Sequence, residues 1–133
     1  MKNKIIVTGA NGFIGSALVS YLLKKDFTVI AICHSKNIPI KSKKLTQYRA
    51  DFLDDTDVVK LKKIFNGVST CIHLAGRIPK SGSANDISTR TNDNVQINQK
   101  FSKLLNKKIF LIFVSTIDAY EASLDRNNPN NFY

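Results

Sequence analysis

The stretch Thr8-Gly9-Ala10-Asn11-Gly12-Phe13-Ile14-Gly15, directly after Lys4-Ile5-Ile6-Val7, decides the fold. It reads as a buried apolar strand that turns through three glycines into a helix. A side chain at Gly9 would block the tight turn. One at Gly12 would keep the backbone away from a phosphate, and one at Gly15 would push the helix off the sheet. The helix start offers free N–H groups and the positive end of the helix dipole, which together suit the pyrophosphate of a dinucleotide. The apolar residues Phe13, Ile14, Ala17, Leu18, Tyr21 and Leu22 follow at helical spacing. That context favours nucleotide binding over a plain strand-turn-helix.

Outward from this turn, strand alternates with helix. Apolar runs rich in β-branched residues recur at 5–7, 28–33, 46–50, 69–74 and 109–114. Helical periodicity covers 12–25, a segment from Asp54 or Asp55 to Phe65, and roughly 85–106. The second helix takes its cap from Asp54 or Asp55 and closes at Asn66-Gly67. The third carries the apolar stripe Ile97, Phe101, Leu104 and Leu105. Continuous apolar strands alternating with helices predict an α/β fold with a parallel sheet covered on both faces. Right-handed crossovers then predict a doubly wound strand order of 3-2-1-4-5.

The chain has 133 residues, of which 43% are hydrophobic. That is enough for one domain with a core and too little for a dinucleotide-binding domain plus a substrate domain. The formal charge of +10 invites a nucleic-acid reading. The lysines are scattered, however, with pairs at Lys24-Lys25, Lys43-Lys44, Lys62-Lys63 and Lys107-Lys108 near expected helix ends and loops. No aromatic and basic interleaving or zinc-finger spacing accompanies them, which argues against specific nucleic-acid recognition. Cys33 and Cys71 close apolar runs without C-x-x-C spacing and read as buried free thiols of a reducing cytoplasm. Gly9, Asn11 and Gly12 interrupt any signal-peptide core, and the run 109–114 is too short to cross a bilayer. A cytoplasmic location away from membranes is expected, and no metal site is expected.

Three further stretches carry a family resemblance: Ala50-Asp51-Phe52-Leu53-Asp54, His73-Leu74-Ala75-Gly76, and Phe113-Val114-Ser115-Thr116-Ile117-Asp118-Ala119-Tyr120. With the glycine turn, they resemble in order and spacing the extended short-chain dehydrogenase/reductases, the NAD-dependent epimerase/dehydratase family. The resemblance implies a Rossmann sheet that is incomplete at its C-terminal side. Residues 1–133 would form a partial NAD(P)-binding domain, with the substrate-binding domain absent.

By that likeness the cofactor is held by Gly9, Asn11, Gly12, Phe13, Ile14 and Gly15 at the pyrophosphate. Asp51 and Phe52 line the adenine site, and Leu74, Ala75 and Gly76 pass under the ribose and nicotinamide. The plain alternative for Asp51 is a cap of the following helix, a role that Asp54 or Asp55 fits better, which favours the cofactor role for Asp51. Asn94 resembles an asparagine at the start of the next helix in many relatives, and it reads equally as a polar residue on a helix face. His73 lies in line with its strand and reads as a hydrogen-bonded structural histidine rather than a catalytic one. The second strand ends in Cys33-His34-Ser35-Lys36, with no carboxylate for the ribose hydroxyls of NAD. His34, Ser35 and Lys36 suit a 2′-phosphate and lean the cofactor toward NADP, although Ser35 and Lys36 also read as the start of a solvated loop.

The resemblance places Thr116 on the catalytic Ser/Thr that hydrogen-bonds the reacting oxygen of the substrate. The family's Y-x-x-x-K pair is missing from the region after the fifth strand. Tyr133, 17 residues beyond Thr116, is the last residue of the sequence and the only candidate for that tyrosine. The expected function is therefore the NAD(P)-binding part of an epimerase, dehydratase or reductase acting on a nucleotide-sugar-like substrate, catalytically incomplete as written. The alternatives are a non-catalytic nucleotide-binding or redox-sensing module and the inactive product of a truncated gene. Relatives commonly pair through helices, which implies a homodimer.

Overall fold

A computed structural model describes residues 4–114 of the chain. Its elements are β1 (Lys4–Thr8), α1 (Phe13–Lys24), β2 (Thr28–Cys33), β3 (Leu45–Arg49), α2 (Asp55–Phe65), β4 (Thr70–His73), α3 (Ala84–Ser102) and β5 (Phe110–Phe113). All four strand pairings are parallel, and the sheet runs β3-β2-β1-β4-β5. The expected architecture and order are therefore observed, with strand and helix ends within a few residues of those read from the sequence.

The sheet has a core on each face because its central strands β1, β2 and β4 are apolar on both sides, whereas the edge strand β3, Leu-Thr-Gln-Tyr-Arg, is largely exposed. Ile6, Ile30, Ile32 and Cys71 pack with Val58, Leu61 and Phe65 of α2 and with Ile97 and Phe101 of α3. Ile5, Val7, Val29, Ala31 and Cys33 pack with Val19 and Leu22 of α1 on the other face. Both cysteines are buried and free.

Two helices show how local chemistry sets their ends. Asp54 caps α2, its carboxylate accepting from Thr56 N at 2.7 Å and Asp57 N at 3.3 Å. Ser83 caps α3 by accepting from Asp86 N at 3.2 Å. In α1 the buried line is Gly15, Val19 and Leu22. Phe13, Ile14 and Tyr21, apolar at helical spacing, face outward instead. Gly15 has to lie against the turn, and the helix rotates to put that side inward.

On β5, Phe110 is 68% exposed and Phe113 50%, so among the described residues apolar surface lies open on the fifth strand. No helix among the described residues is long and apolar enough to cross a membrane.

Candidate dinucleotide site

The glycine turn is built by short backbone bonds. Gly12 N donates to Gly9 O at 3.0 Å, and Ala10 N donates to Ile32 O at 3.1 Å, extending β1 beside β2. Asn11 Oδ1 accepts from His34 N at 3.1 Å and ties the turn to the end of β2.

Each glycine has a distinct reason. Gly9 has φ +63°, and an added Cβ would lie 2.8 Å from the backbone of Leu74 and Ala75. The first glycine thus also admits the loop after β4. An added Cβ at Gly15 would collide with Gly9 O and stand 2.8 Å from Ala10 Cα, so this glycine seats α1 on the turn. At Gly12 such a Cβ would meet only Gly9 O, at 3.2 Å. Its remaining space opens into a cleft.

That cleft has a volume of about 590 Å³ and lies over the carboxyl ends of β1 to β4. Its walls bring together Gly9, Asn11 and Gly12, then His34, then Asp51 and Phe52, then Leu74, Ala75 and Gly76. This crevice, beside the point where the strand order reverses, is where open α/β sheets bind ligands. Phe13, Ile14, Gly15, Ser35, Lys36 and Asn94 lie outside its walls. Phe13 and Ile14 have a backbone connection to it all the same. The first intrahelical bond is Ser16 N to Gly12 O at 3.0 Å, which leaves the N–H groups of residues 13–15 ahead of it.

Asp51 and Phe52 form one end of the cleft. Asp51 Oδ1 accepts from Leu53 N at 2.9 Å, while Oδ2 faces Arg77 Nη2 at 3.1 Å and His34 Nε2 at 3.4 Å. Burial raises the pKa of this carboxyl, but the Leu53 N–H, His34 and the Arg77 charge outweigh it and hold the group below its ordinary value. Among the described residues the backbone N–H of Phe52, on an otherwise buried residue, donates no hydrogen bond. A carboxylate acceptor beside a spare N–H donor is the polarity that an adenine edge requires, and with the open face of Gly12 it fits a dinucleotide.

His73 is 1% exposed and does not line the cleft. Its Nδ1 meets Thr8 Oγ1 at 2.7 Å and its Nε2 meets Asn98 Oδ1 at 3.1 Å. Its ring stacks on Phe101 with centroids 3.7 Å apart. Burial lowers its pKa to about 4, against a smaller opposing effect of Asn98. It is a neutral, packed and hydrogen-bonded residue.

Asn94 holds the cleft wall from behind, accepting from Arg77 N at 2.7 Å and donating to Arg77 O at 2.9 Å. Arg77 heads an ion-pair ladder that sequence reasoning missed. Its Nη1 meets Asp93 at 3.3 Å, Asp93 meets Arg90 Nη1 at 3.1 Å, and Arg90 Nε lies 3.4 Å from Asp86. That last contact is an ion pair without hydrogen-bond geometry. Asp86 in turn accepts from Lys80 N at 2.6 Å and Ser81 N at 2.8 Å, fixing the loop before α3.

Thr116 and Tyr133 lie outside the described residues. Y-x-x-x-K spacing does occur at Tyr21 and Lys25, but there the ammonium sits 5.7 Å from the ring centroid at the end of α1, away from the cleft. No group of three or more possible metal ligands occurs among the described residues.

The sequence pattern of the NAD dependent epimerase/dehydratase family matches residues 5–132. The chain belongs to that family. A fatty acid hydroxylase of Mycosarcoma maydis, uhd1, is 30% identical over 90 residues, covering 63% of this chain and 29% of that protein. The dTDP-4-dehydro-6-deoxyglucose reductase of Escherichia coli is 28% identical over 110 residues, covering 78% and 35%. A UDP-glucose 4-epimerase structure superimposes with a TM-score of 0.74 at 22% identity, covering 89% of this chain and 37% of that one. The chain thus spans about a third of the length of the curated relatives it matches. Its NAD-binding fold is that of an epimerase/dehydratase family member.

Proposed function

We propose that this chain supplies the dinucleotide-binding part of an NAD(P)-dependent epimerase, dehydratase or reductase whose substrate is a nucleotide-linked sugar. The observation that carries the reading is the cleft itself. The open face of Gly12, which precedes α1, and the Asp51–Phe52 edge both line it at the carboxyl ends of the strands. The sugar-nucleotide part of the reading draws on the names of the Escherichia coli reductase and of the epimerase structure.

In this reading the N–H groups at residues 13–15 hold the pyrophosphate, Asp51 and Phe52 N–H take the adenine edge, and Leu74 to Gly76 lie beneath the ribose and nicotinamide. The bound nicotinamide supplies hydride transfer. Thr116 holds the reacting oxygen of the substrate, and Tyr133 is the candidate proton-transfer residue, both on the family's pattern. The lean toward NADP rests on the sequence at the end of β2, where residues 33–36 include no carboxylate and His34, Ser35 and Lys36 suit a 2′-phosphate. Against it, Asp51 Oδ2 lies 3.4 Å from His34 Nε2, and Ser35 and Lys36 are not among the cleft's walls. In this reading residues 1–133 belong to one dinucleotide-binding domain.

Calorimetric titration with NAD+ and NADP+ tests the reading. Saturable binding of at least one is expected, together with its loss in Gly12→Val. Absence of binding by the well-folded chain overturns it.

A further inference from the structure

We propose that Arg77 is the second half of a purine-reading pair with Asp51, and that the cleft takes 6-oxopurine dinucleotides as well as 6-aminopurine ones. The inference rests on the dinucleotide reading and adds a ligand class to it. Arg77 and Asp51 both line the cleft, and their side chains remain 29% and 35% exposed. Arg77 Nη2 lies 3.1 Å from Asp51 Oδ2, so an acceptor and a donor stand side by side at the base end.

The pair is held in place from several directions. Asn94 bonds both the N–H and the C=O of Arg77, Asp93 takes Nη1 at 3.3 Å, and Leu53 N–H fixes Asp51 Oδ1. A guanidinium carries five N–H donors. Among the described residues two of them are engaged, one each with Asp51 and Asp93, and the rest remain for a ligand.

A carboxylate alone discriminates strongly between purines. It accepts from the 6-amino group of adenine while Phe52 N–H meets N1, but it repels a carbonyl oxygen at the same place. With a guanidinium beside it, the base has a second pairing one position along its edge. The N1–H of a 6-oxopurine donates to Asp51, and its O6 accepts from Arg77. Arg77 thereby removes the penalty that an unpaired O6 would meet against Asp51.

The test is calorimetric titration of the intact chain and of Arg77→Met with NAD+ and with nicotinamide hypoxanthine dinucleotide. The unaltered protein is expected to bind the two within about threefold of each other. Arg77→Met is expected to lose on the order of tenfold for the hypoxanthine form and about threefold or less for NAD+. Arg77→Lys should recover part of the loss. If Arg77→Met shows no cooperative melt, Arg77→Gln is measured instead, with the same differential expected. Equal losses for both dinucleotides, or binding of NAD+ with rejection of the hypoxanthine form by the unaltered chain, overturns the inference and leaves the dinucleotide reading standing. Failure of the unaltered chain to bind NAD+, NADP+ and the hypoxanthine form alike overturns both.

Discussion

Thr8 and His73 stand opposite each other in the β1–β4 register, and the threonine oxygen lies 2.7 Å from His73 Nδ1. The same oxygen accepts from Leu74 N and Ala75 N, each at 3.2 Å, so its single proton goes to the imidazole. That assignment leaves the ring proton on Nε2, where Asn98 Oδ1 accepts it at 3.1 Å. One threonine therefore sets the tautomer of a buried histidine and anchors the start of the loop that passes under the cleft.

The pH dependence of stability follows from this arrangement. The His73 pKa falls from 6.5 to about 4 on folding. Between those values the unfolded chain binds a proton that the folded chain does not, so stability is full above pH 6.5 and declines as pH falls toward 4. The decline attributable to this group is about 3 kcal/mol. Urea denaturation at pH 7.5, 5.5 and 4.5 reads it, and His73→Asn should flatten the profile over that window. An unaltered slope in the variant would place the titration elsewhere.

Thr8→Val tests the network at its other end. The substitution keeps the shape but strands Nδ1 of His73 and two backbone N–H groups, so a loss of about 2–4 kcal/mol is expected. A midpoint within experimental error of the unaltered protein would mean that water replaces the hydroxyl.

The glycine turn separates folding from binding. Gly9→Ala meets a positive φ and backbone atoms at 2.8 Å, so a loss of at least about 2 kcal/mol is expected, read as a lower melting temperature. At Gly12 the added Cβ meets only Gly9 O, at 3.2 Å, and Gly12→Val should lose less stability than Gly9→Ala while losing dinucleotide binding. Parallel loss of both properties in the two variants would contradict the distinct roles assigned to them.

The features legible in the sequence were those set by local pattern. Four apolar runs and the mixed stretch 46–50, Thr-Gln-Tyr-Arg-Ala, predicted the five strands, and the helical segments between them predicted a doubly wound order. The glycine spacing marked the turn, and the cap of α2 was narrowed to Asp54 or Asp55 because capping is a short-range property, with Asp54 taking it in the structure. Within α3 the Asp86–Arg90 and Arg90–Asp93 links have the i,i+4 and i,i+3 spacing of helix neighbours, but the links from Arg77 to Asp93 and to Asp51 join residues whose separations carry no rule until β3, the loop after β4 and α3 are brought together. The Thr8–His73 pair depended on strand register in the same way. The outward turn of Phe13 and Tyr21 was hidden because apolar residues at helical spacing look alike whichever side of the helix is buried.

Thiol chemistry provides a last prediction, bearing on the redox-sensing alternative. Cys33 and Cys71 are both buried, and burial raises the pKa of both, that of Cys71 to about 12. A thiol so far above neutral pH supplies almost no thiolate, the species that reacts. In the folded protein neither cysteine should react with an aromatic disulfide reagent at pH 7.5 on the timescale of minutes, whereas both should react rapidly in denaturant. Addition of a dinucleotide that binds the folded state should slow any residual labelling by lowering the population of open forms. Prompt labelling of the native chain, at a rate independent of denaturant, would instead identify an accessible thiolate and revive a cysteine-based sensing role.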